Sequence, residues 1–409
     1  MKSRLVGIVC VGLMAVLGFG GAVWAGTTLK IAYPGWDSKE QEKEVTSIFA
    51  DYEKKDPGVK VELISIPFPV MKQKLVVALR SGDAPDVGYV DGRWLQEMKA
   101  AGFLSEMDDA IRDIGKGDFY EAPWRPATVG GKTYAIPDRI DPWMIYYNTE
   151  MFARAGVTAF PQTMDDFVRD AKKLTGGGKY GYGLIGANDA TFIGRFLNFL
   201  YAFHGNLLKA DGKTAAVSDE AGVATFQFYG DLLTKHKVVQ PSAIGNSHND
   251  VRQLFMTQQV AMMIDGPWAR GTLKEMAPTV KWSVGQIPRV GNQKPRFTMS
   301  SWYYVAFAPG KAQGESKKFV KYLLQPENMA RSVVTIPGRK SAAAMARFQT
   351  PDWKPWIEAA PHGEPLPITE KFSEIADIVG NASQQVLSEK KSAKEAADEV
   401  AARINKLFP

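Results

Sequence analysis

The sequence predicts an α/β protein with a doubly wound arrangement at its start. Three observations carry that expectation. Thr28–Tyr33 is a short, nearly apolar strand, Val59–Ile66 alternates apolar with polar residues, and Gly82–Val90 is a turn running into a third strand. Amphipathic helical stretches separate them, and strands alternating with helices bury a mostly parallel sheet. Composition agrees: 45% hydrophobic and 23% charged is ordinary for a globular chain. At roughly 150 residues per domain, the 409 residues make two or three domains.

The elements follow in order. After the first strand, Lys39–Lys54 reads as a helix with Val45, Ile48, Phe49 and Tyr52 on one face, stopped by Pro57-Gly58. Met71–Arg80 is the next helix, followed by the third strand and helices at Arg93–Ala101 and Asp108–Ile114. Pro123–Ile136 reads as a hairpin around Gly130-Gly131, Trp143–Tyr147 as a strand, and Thr149–Arg154 as a short helix. Thr163 with Asp166 approximates a capping box for a helix to Leu174. Tyr182–Leu184 is a strand, Asp189–Phe203 an aromatic-rich helix, and Ser218 caps a helix reaching Thr234. Asp250–Thr257 is helical, Val260–Ile264 a buried strand, and Gly266-Pro267 opens the next helix. Strands are expected at Trp282–Ile287 and Trp302–Phe307, then helices at Glu315–Leu324 and Pro326–Val334. Ser392 and Glu395 box the final helix, whose apolar face includes Ala396, Val400, Ile404 and Leu407.

Residues 1–25 read as a secretory signal peptide. Lys2 and Arg4 precede the apolar run Leu5–Phe19, and Val23 and Ala25 stand at the −3 and −1 places before Gly26. The run is shorter than the ~20 residues a membrane span needs, which weighs against a retained anchor. Cys10, the single cysteine, lies early in the run, whereas a lipidation cysteine ends one. The expected product is exported, extracytoplasmic or periplasmic, and thiol-free.

One cysteine excludes disulfide scaffolds, iron–sulfur clusters and cysteine-rich zinc sites. The four histidines, His204, His236, His248 and His362, show no metal-ligand spacing, so no cofactor or metal is expected. Nucleophile elbows, phosphate loops and dinucleotide fingerprints are missing from the sequence. Carboxylate pairs such as Asp138 and Asp141 occur, but with 44 acidic residues chance pairs are expected. The net charge of +6 is spread thinly; it argues weakly for an anionic surface partner and so little for nucleic acid that none is expected.

The tryptophans say more. Trp36, Trp94, Trp143, Trp268 and Trp302 all stand at ends of apolar strands beside polar residues. Ligands of open α/β sheets bind beyond strand ends. An indole covers the apolar face of a sugar ring while Asp, Arg and Asn meet its hydroxyl rim. Core or interlobe packing explains any one tryptophan equally well; the coincidence of five is the stronger signal.

From Thr28 onward the chain resembles the extracellular solute-binding proteins of the maltose-binding type, which serve ATP-driven importers. The resemblance rests on TLKIAYPGWD at Thr28–Asp37, SGDAPDVGYVD at Ser81–Asp91 and GKTYAIPDRIDPWMIYYN at Gly131–Asn148. FMTQQVAMMIDGPWARG at Phe255–Gly271 and TIPGRKSA at Thr335–Ala342 complete the series. It implies a two-lobe, periplasmic-binding-protein-like fold of type II, with lobes joined by crossing hinge segments. The first lobe takes residues 27–137 and 306–345, the second 138–305 and 346–409. Crossings are expected near Pro137–Trp143, Ser301–Phe307 and Ala343–Phe348.

The resemblance also implies roles. Trp36 and Asp37 occupy the loop where the first lobe meets ligand, Asp91 accepts from sugar hydroxyls, and Asp141 reaches the cleft from the crossing. Trp268 of the Gly266-Pro-Trp turn stacks on a sugar, Ser301 and Trp302 face the cleft where the chain crosses back, and Arg339 donates from a late loop. Two departures stand out: Ser300-Ser301-Trp302-Tyr303 replaces the paired glycines frequent at that crossing, and Gly186–Arg195 has no family counterpart. In that loop Asn188, Asp189 and Arg195 are further candidates.

The implied function is sugar or oligosaccharide capture by a monomer, with closure of the lobes and delivery to the permease of an ABC importer. Other readings stay open: a phosphorylated polyol, polyamine or organic anion in the same role, a secreted glycosidase with two facing carboxylates, or a structural exported protein without a deep cleft.

Overall fold

The computed structural model describes residues 26–294 and 296–408. The expected signal peptide lies outside the described residues. Within them, no helix is long and apolar enough to cross a membrane.

The doubly wound start forms as expected. Thr27–Pro34 pairs in parallel with Val59–Ile66 on one side and with Val87–Asp91 on the other. Lys39–Lys55 follows the first strand, its Ser38 side chain accepting from the Gln41 amide. Val45, Ile48, Phe49 and Tyr52 are buried on that helix, against strand residues such as Leu29 and Ile31. Burying an aliphatic side chain of this size contributes about 1.5–3 kcal/mol.

The remaining strands of this large sheet come from far along the chain. Its order is Ile336–Pro337, Ile136–Pro142, Thr298–Ala306, Val87–Asp91, Thr27–Pro34, Val59–Ile66, with Glu364–Pro365 pairing the start of Thr298–Ala306. Thr298–Ala306 runs antiparallel to both neighbours. A second sheet places Met144–Asn148 between Met262–Asp265 and Trp282–Gly285, all antiparallel. The chain leaves the large sheet at Pro142 and enters the small one at Met144; only Trp143 lies between. It returns after Trp282–Gly285 through Thr298–Ala306. Two lobes are thus joined by strands that are themselves hydrogen-bonded neighbours, paired from Met299–Pro142 to Tyr304–Ile136.

Several elements differ from expectation. Ile136–Pro142 is a full strand, because it is the sheet partner that Thr298–Ala306 requires. Tyr182–Leu184 makes only isolated bridges, to Val239 and Met263. Asp219, not Ser218, caps the helix Glu220–Thr234, its side chain accepting from the Gly222 amide. The helix Phe372–Leu387, unforeseen in the sequence, packs on Glu220–Thr234 and on Ala393–Asn405. Gly380 at its centre punctuates the apolar pattern, and a β-carbon there would lie 2.1 Å from Asn188 Oδ1.

Candidate functional site

A cavity of about 200 Å³ lies where the carboxyl ends of the first and third strands meet the small sheet. The wall on the large sheet is aromatic. Tyr33, next to last in the first strand, stacks on Tyr89 of the third at 4.7 Å. Tyr89 stacks on Trp302 at 5.2 Å, and Phe68 lies 5.7 Å from Trp302. Strand register aligns the polar partners: Trp302 is opposite Asp91 on one side and Arg139 on the other. Residues directly opposite in a sheet share a face, so carboxylate, indole and guanidinium form one row. The Arg139 guanidinium sits 5.1 Å over the Trp302 ring.

The second-lobe wall holds Trp143, Thr191, Arg195, His248, Arg252 and Trp268. Trp143 meets Trp268 edge to face at 5.4 Å and donates from Nε1 to Ser300 Oγ at 2.9 Å. The Gly266-Pro-Trp turn has a steric reason: a β-carbon on Gly266 would lie 1.9 Å from the Trp268 ring. Arg195 stacks 4.8 Å over Trp143.

Charges in the cavity are paired. Asp91 accepts from Arg93 Nε at 2.8 Å and Nη2 at 2.7 Å, a bidentate fork. Asp37 accepts from Arg139 Nη1 at 2.8 Å. Behind the second wall, buried Asp265 accepts from Arg195 at 3.2 Å and from Arg252 at 2.9 and 2.8 Å. Burial pushes the Asp265 carboxyl up, and Arg252 and Arg195 more than reverse it, so it is held below its ordinary value. Asp189 lies 3.4 Å from His248 Nδ1.

Two carboxyls under the cavity behave in the opposite way. Burial pushes Asp138 up to about 7 and Asp141 up to about 6, with Arg139 drawing both down only in part. Neither oxygen of Asp141 has a hydrogen-bond partner among the described residues, although Arg139 Nε is 3.4 Å away.

Four of the eight residues singled out in the sequence, Asp37, Asp91, Trp268 and Trp302, line this cavity. Trp36 packs against Tyr33 at 4.9 Å and is not among the lining residues. Asp141 is fully buried beneath Arg139 and does not reach the lining. Alternation along the strand turns Ser300 to the cavity and Ser301 to a neighbouring crevice beside Tyr303 and Pro365. Arg339 stands apart, its Nε donating to Asp118 at 2.7 Å and its Nη1 to the Leu324 carbonyl. Of the loop candidates, Arg195 lines the cavity, whereas Asn188 packs on the helix Phe372–Leu387.

Lining residues that sequence reasoning left unassigned include Tyr33, Phe68, Tyr89, Trp143, His248 and Arg252. Trp143 had its signal, a tryptophan at the crossing. Arg252 had none: it stands on a surface-patterned helix and turns inward to Asp265. Among the described residues no cluster of three or more His, Cys, Asp or Glu could hold a metal ion.

Known proteins share this fold. A solute-binding protein of an ABC transporter from Thermotoga lettingae TMO, bound with α-D-tagatose, superposes with a TM-score of 0.84 at 27% identity, covering 94% of this chain and 100% of that one. A relative in Brucella abortus (strain 2308) is 28% identical over 342 residues, 82% of each chain. The galactooligosaccharide-binding protein of Bacillus subtilis (strain 168) is 22% identical over 385 residues, 90% of this chain and 87% of the relative. The family described as bacterial extracellular solute-binding protein matches residues 35–330. With that span matched, the chain belongs to the bacterial extracellular solute-binding protein family.

Proposed function

We propose that this protein captures a sugar between its lobes outside the cytoplasmic membrane and hands it unchanged to the permease of an ABC importer. The observation that carries the reading is the pair of aromatic walls, Tyr89 with Trp302 on one side and Trp143 with Trp268 on the other, rimmed by paired charges. An apolar pocket with a few placed polar groups suits a ring that is apolar on its faces and polar at its edge. Asp37, Asp91, Arg139, Arg195, Arg252 and His248 supply acceptors and donors for hydroxyls. The Thermotoga protein is bound with α-D-tagatose, and the Bacillus relative is a galactooligosaccharide-binding protein.

The protein works by binding and closing, with no bond broken. Asp37 and Asp91, the two carboxylates in the cavity, are each tied to a guanidinium, which leaves neither placed as a free acid. The strongly raised carboxyls, Asp138 and Asp141, are outside the lining. Export by cleavage before Gly26 and monomeric action complete the proposal. Residues 27–137 with 306–345, and 138–305 with 346–409, remain the proposed lobes, with ligand contacts now assigned to Trp302, Trp268, Trp143, Asp37, Asp91, Arg139, Arg195 and Arg252. A second reading, an organic anion or phosphorylated polyol, is favoured by the four guanidiniums of Arg93, Arg139, Arg195 and Arg252 along one cavity.

A thermal-shift panel of neutral sugars, sugar phosphates and organic acids tests the choice, since a ligand specific to the folded state raises its melting temperature. Response to neutral sugars supports the first reading; response confined to the anions replaces it with the second.

A further inference from the structure

The aromatic cavity has a neighbour, and the side chains of Arg93 and Phe68 stand between them. A second cavity of about 250 Å³ lies between the start of the helix Phe68–Ser81, the loop Asn188–Ala190 and the helix Phe372–Leu387. Arg93 and Phe68 line both cavities. The Arg93 guanidinium is locked from below: Asp91 takes its Nε and Nη2, and Asp91 also accepts from the Arg93 amide at 2.9 Å. It lies 5.7 Å from the Phe68 ring centre. Its remaining nitrogen, Nη1, crosses to the opposite lobe and donates to the Ala190 carbonyl. That carbonyl is itself fixed, because Asp189 Oδ1 accepts from the Thr191 and Phe192 amides at 2.7 and 2.9 Å. Beyond the partition, Lys72 Nζ ties Ser373 Oγ at 2.6 Å.

We infer that Arg93 is a length-determining partition: with the lobes closed, its bond to Ala190 ends the binding site after one sugar ring and walls off a second subsite. The inner cavity, about 200 Å³, lies below the roughly 300–1,000 Å³ of pockets for drug-sized ligands, which suits a single ring. A second ring attached to the first meets a guanidinium anchored on both sides. The inference rests on the sugar reading above and names the size class within it.

The test is isothermal titration of the purified full chain with monosaccharides and with the di- and trisaccharides built from them. The main variant is Arg93→Gln, which is too short to reach Ala190 yet can still donate to Asp91; Arg93→Ala serves if the first is unstable. Arg125→Ala breaks another interlobe ion pair, to Glu364 at 3.6 Å, away from both cavities. We expect the unaltered protein to favour a monosaccharide over its oligomers by about tenfold or more, and Arg93→Gln to shrink that preference by about tenfold. Arg125→Ala should leave the preference unchanged. The inference is overturned if the unaltered protein prefers oligomers, if Arg93→Gln weakens all lengths equally, or if Arg125→Ala shifts the preference as much. Sugars binding without length discrimination defeat the partition alone, whereas response only to non-sugars defeats the sugar reading beneath it.

Discussion

Trp302 stands directly opposite Asp91 in the antiparallel pairing of Thr298–Ala306 with Val87–Asp91. Sheet register therefore delivers a stacking surface and an acceptor to the same cavity face without any loop to position them. The pairing also makes Trp302 part of the core, in contact with Phe68, Tyr89 and Trp94.

That double role separates the two stacking tryptophans. Trp302→Ala should lower stability by about 3–5 kcal/mol in urea unfolding, as for other buried tryptophans. Trp268 is only partly buried, so Trp268→Ala should melt close to the unaltered protein while losing about 2 kcal/mol or more of ligand affinity by calorimetry. Unchanged affinity in Trp268→Ala would remove it from the site.

Asp265 holds two guanidiniums at once, Arg195 and Arg252. Asp265→Ala leaves both charges in a buried place without their partner, and should cost about 3–5 kcal/mol in chemical denaturation. A loss well under 1 kcal/mol would mean that water or another group replaces the carboxylate.

Asp138 gives stability an unusual pH dependence. Its folded-state pKa, raised to about 7 by burial, lies above its ordinary value of 3.8, so folding favours the protonated form. The contribution is complete below the ordinary value and is lost as pH rises through about 7. Asp138→Asn should therefore flatten the decline in melting temperature between about pH 4 and about pH 8, and be relatively most stable at the upper end. Parallel melting profiles for the two proteins would contradict this.

The helix Glu220–Thr234 tests the cap found in the structure. Asp219→Ala removes the acceptor for the Gly222 amide and should cost about 1 kcal/mol, whereas Ser218→Ala should be neutral by thermal unfolding.

The sequence revealed most where local chemistry and long-range order agree. Ser392 with Glu395 forms both halves of a capping box, and the first three strands lie in the expected parallel order. It revealed least where a partner far along the chain decides. Ile136–Pro142 carries two prolines and two aspartates, a poor strand by composition, and is a strand because Thr298–Ala306 lies beside it. The helix Phe372–Leu387 was hidden by Gly380, whose bare backbone admits Asn188 from a loop nearly two hundred residues earlier. In the site, tryptophans at strand ends were legible because indoles are rare and conspicuous. Arg252 was not, since an arginine on a helix pattern looks solvated until a buried carboxylate claims it. Arg339 shows the reverse: its loop is near in sequence to a crossing, and its guanidinium pairs with Asp118 away from the cavity.

Two of the segments that join the lobes, Ile136–Pro142 and Thr298–Ala306, are ladder partners rather than separate tethers, and Trp143 is pinned between them by its amide to Thr298 and its indole to Ser300. A pair of strands fastened along their length resists shear and yields chiefly to torsion, as a flat spring does. Opening and closing should thus follow a single twisting coordinate, so that reporters placed anywhere on the two halves relax together, with one time constant.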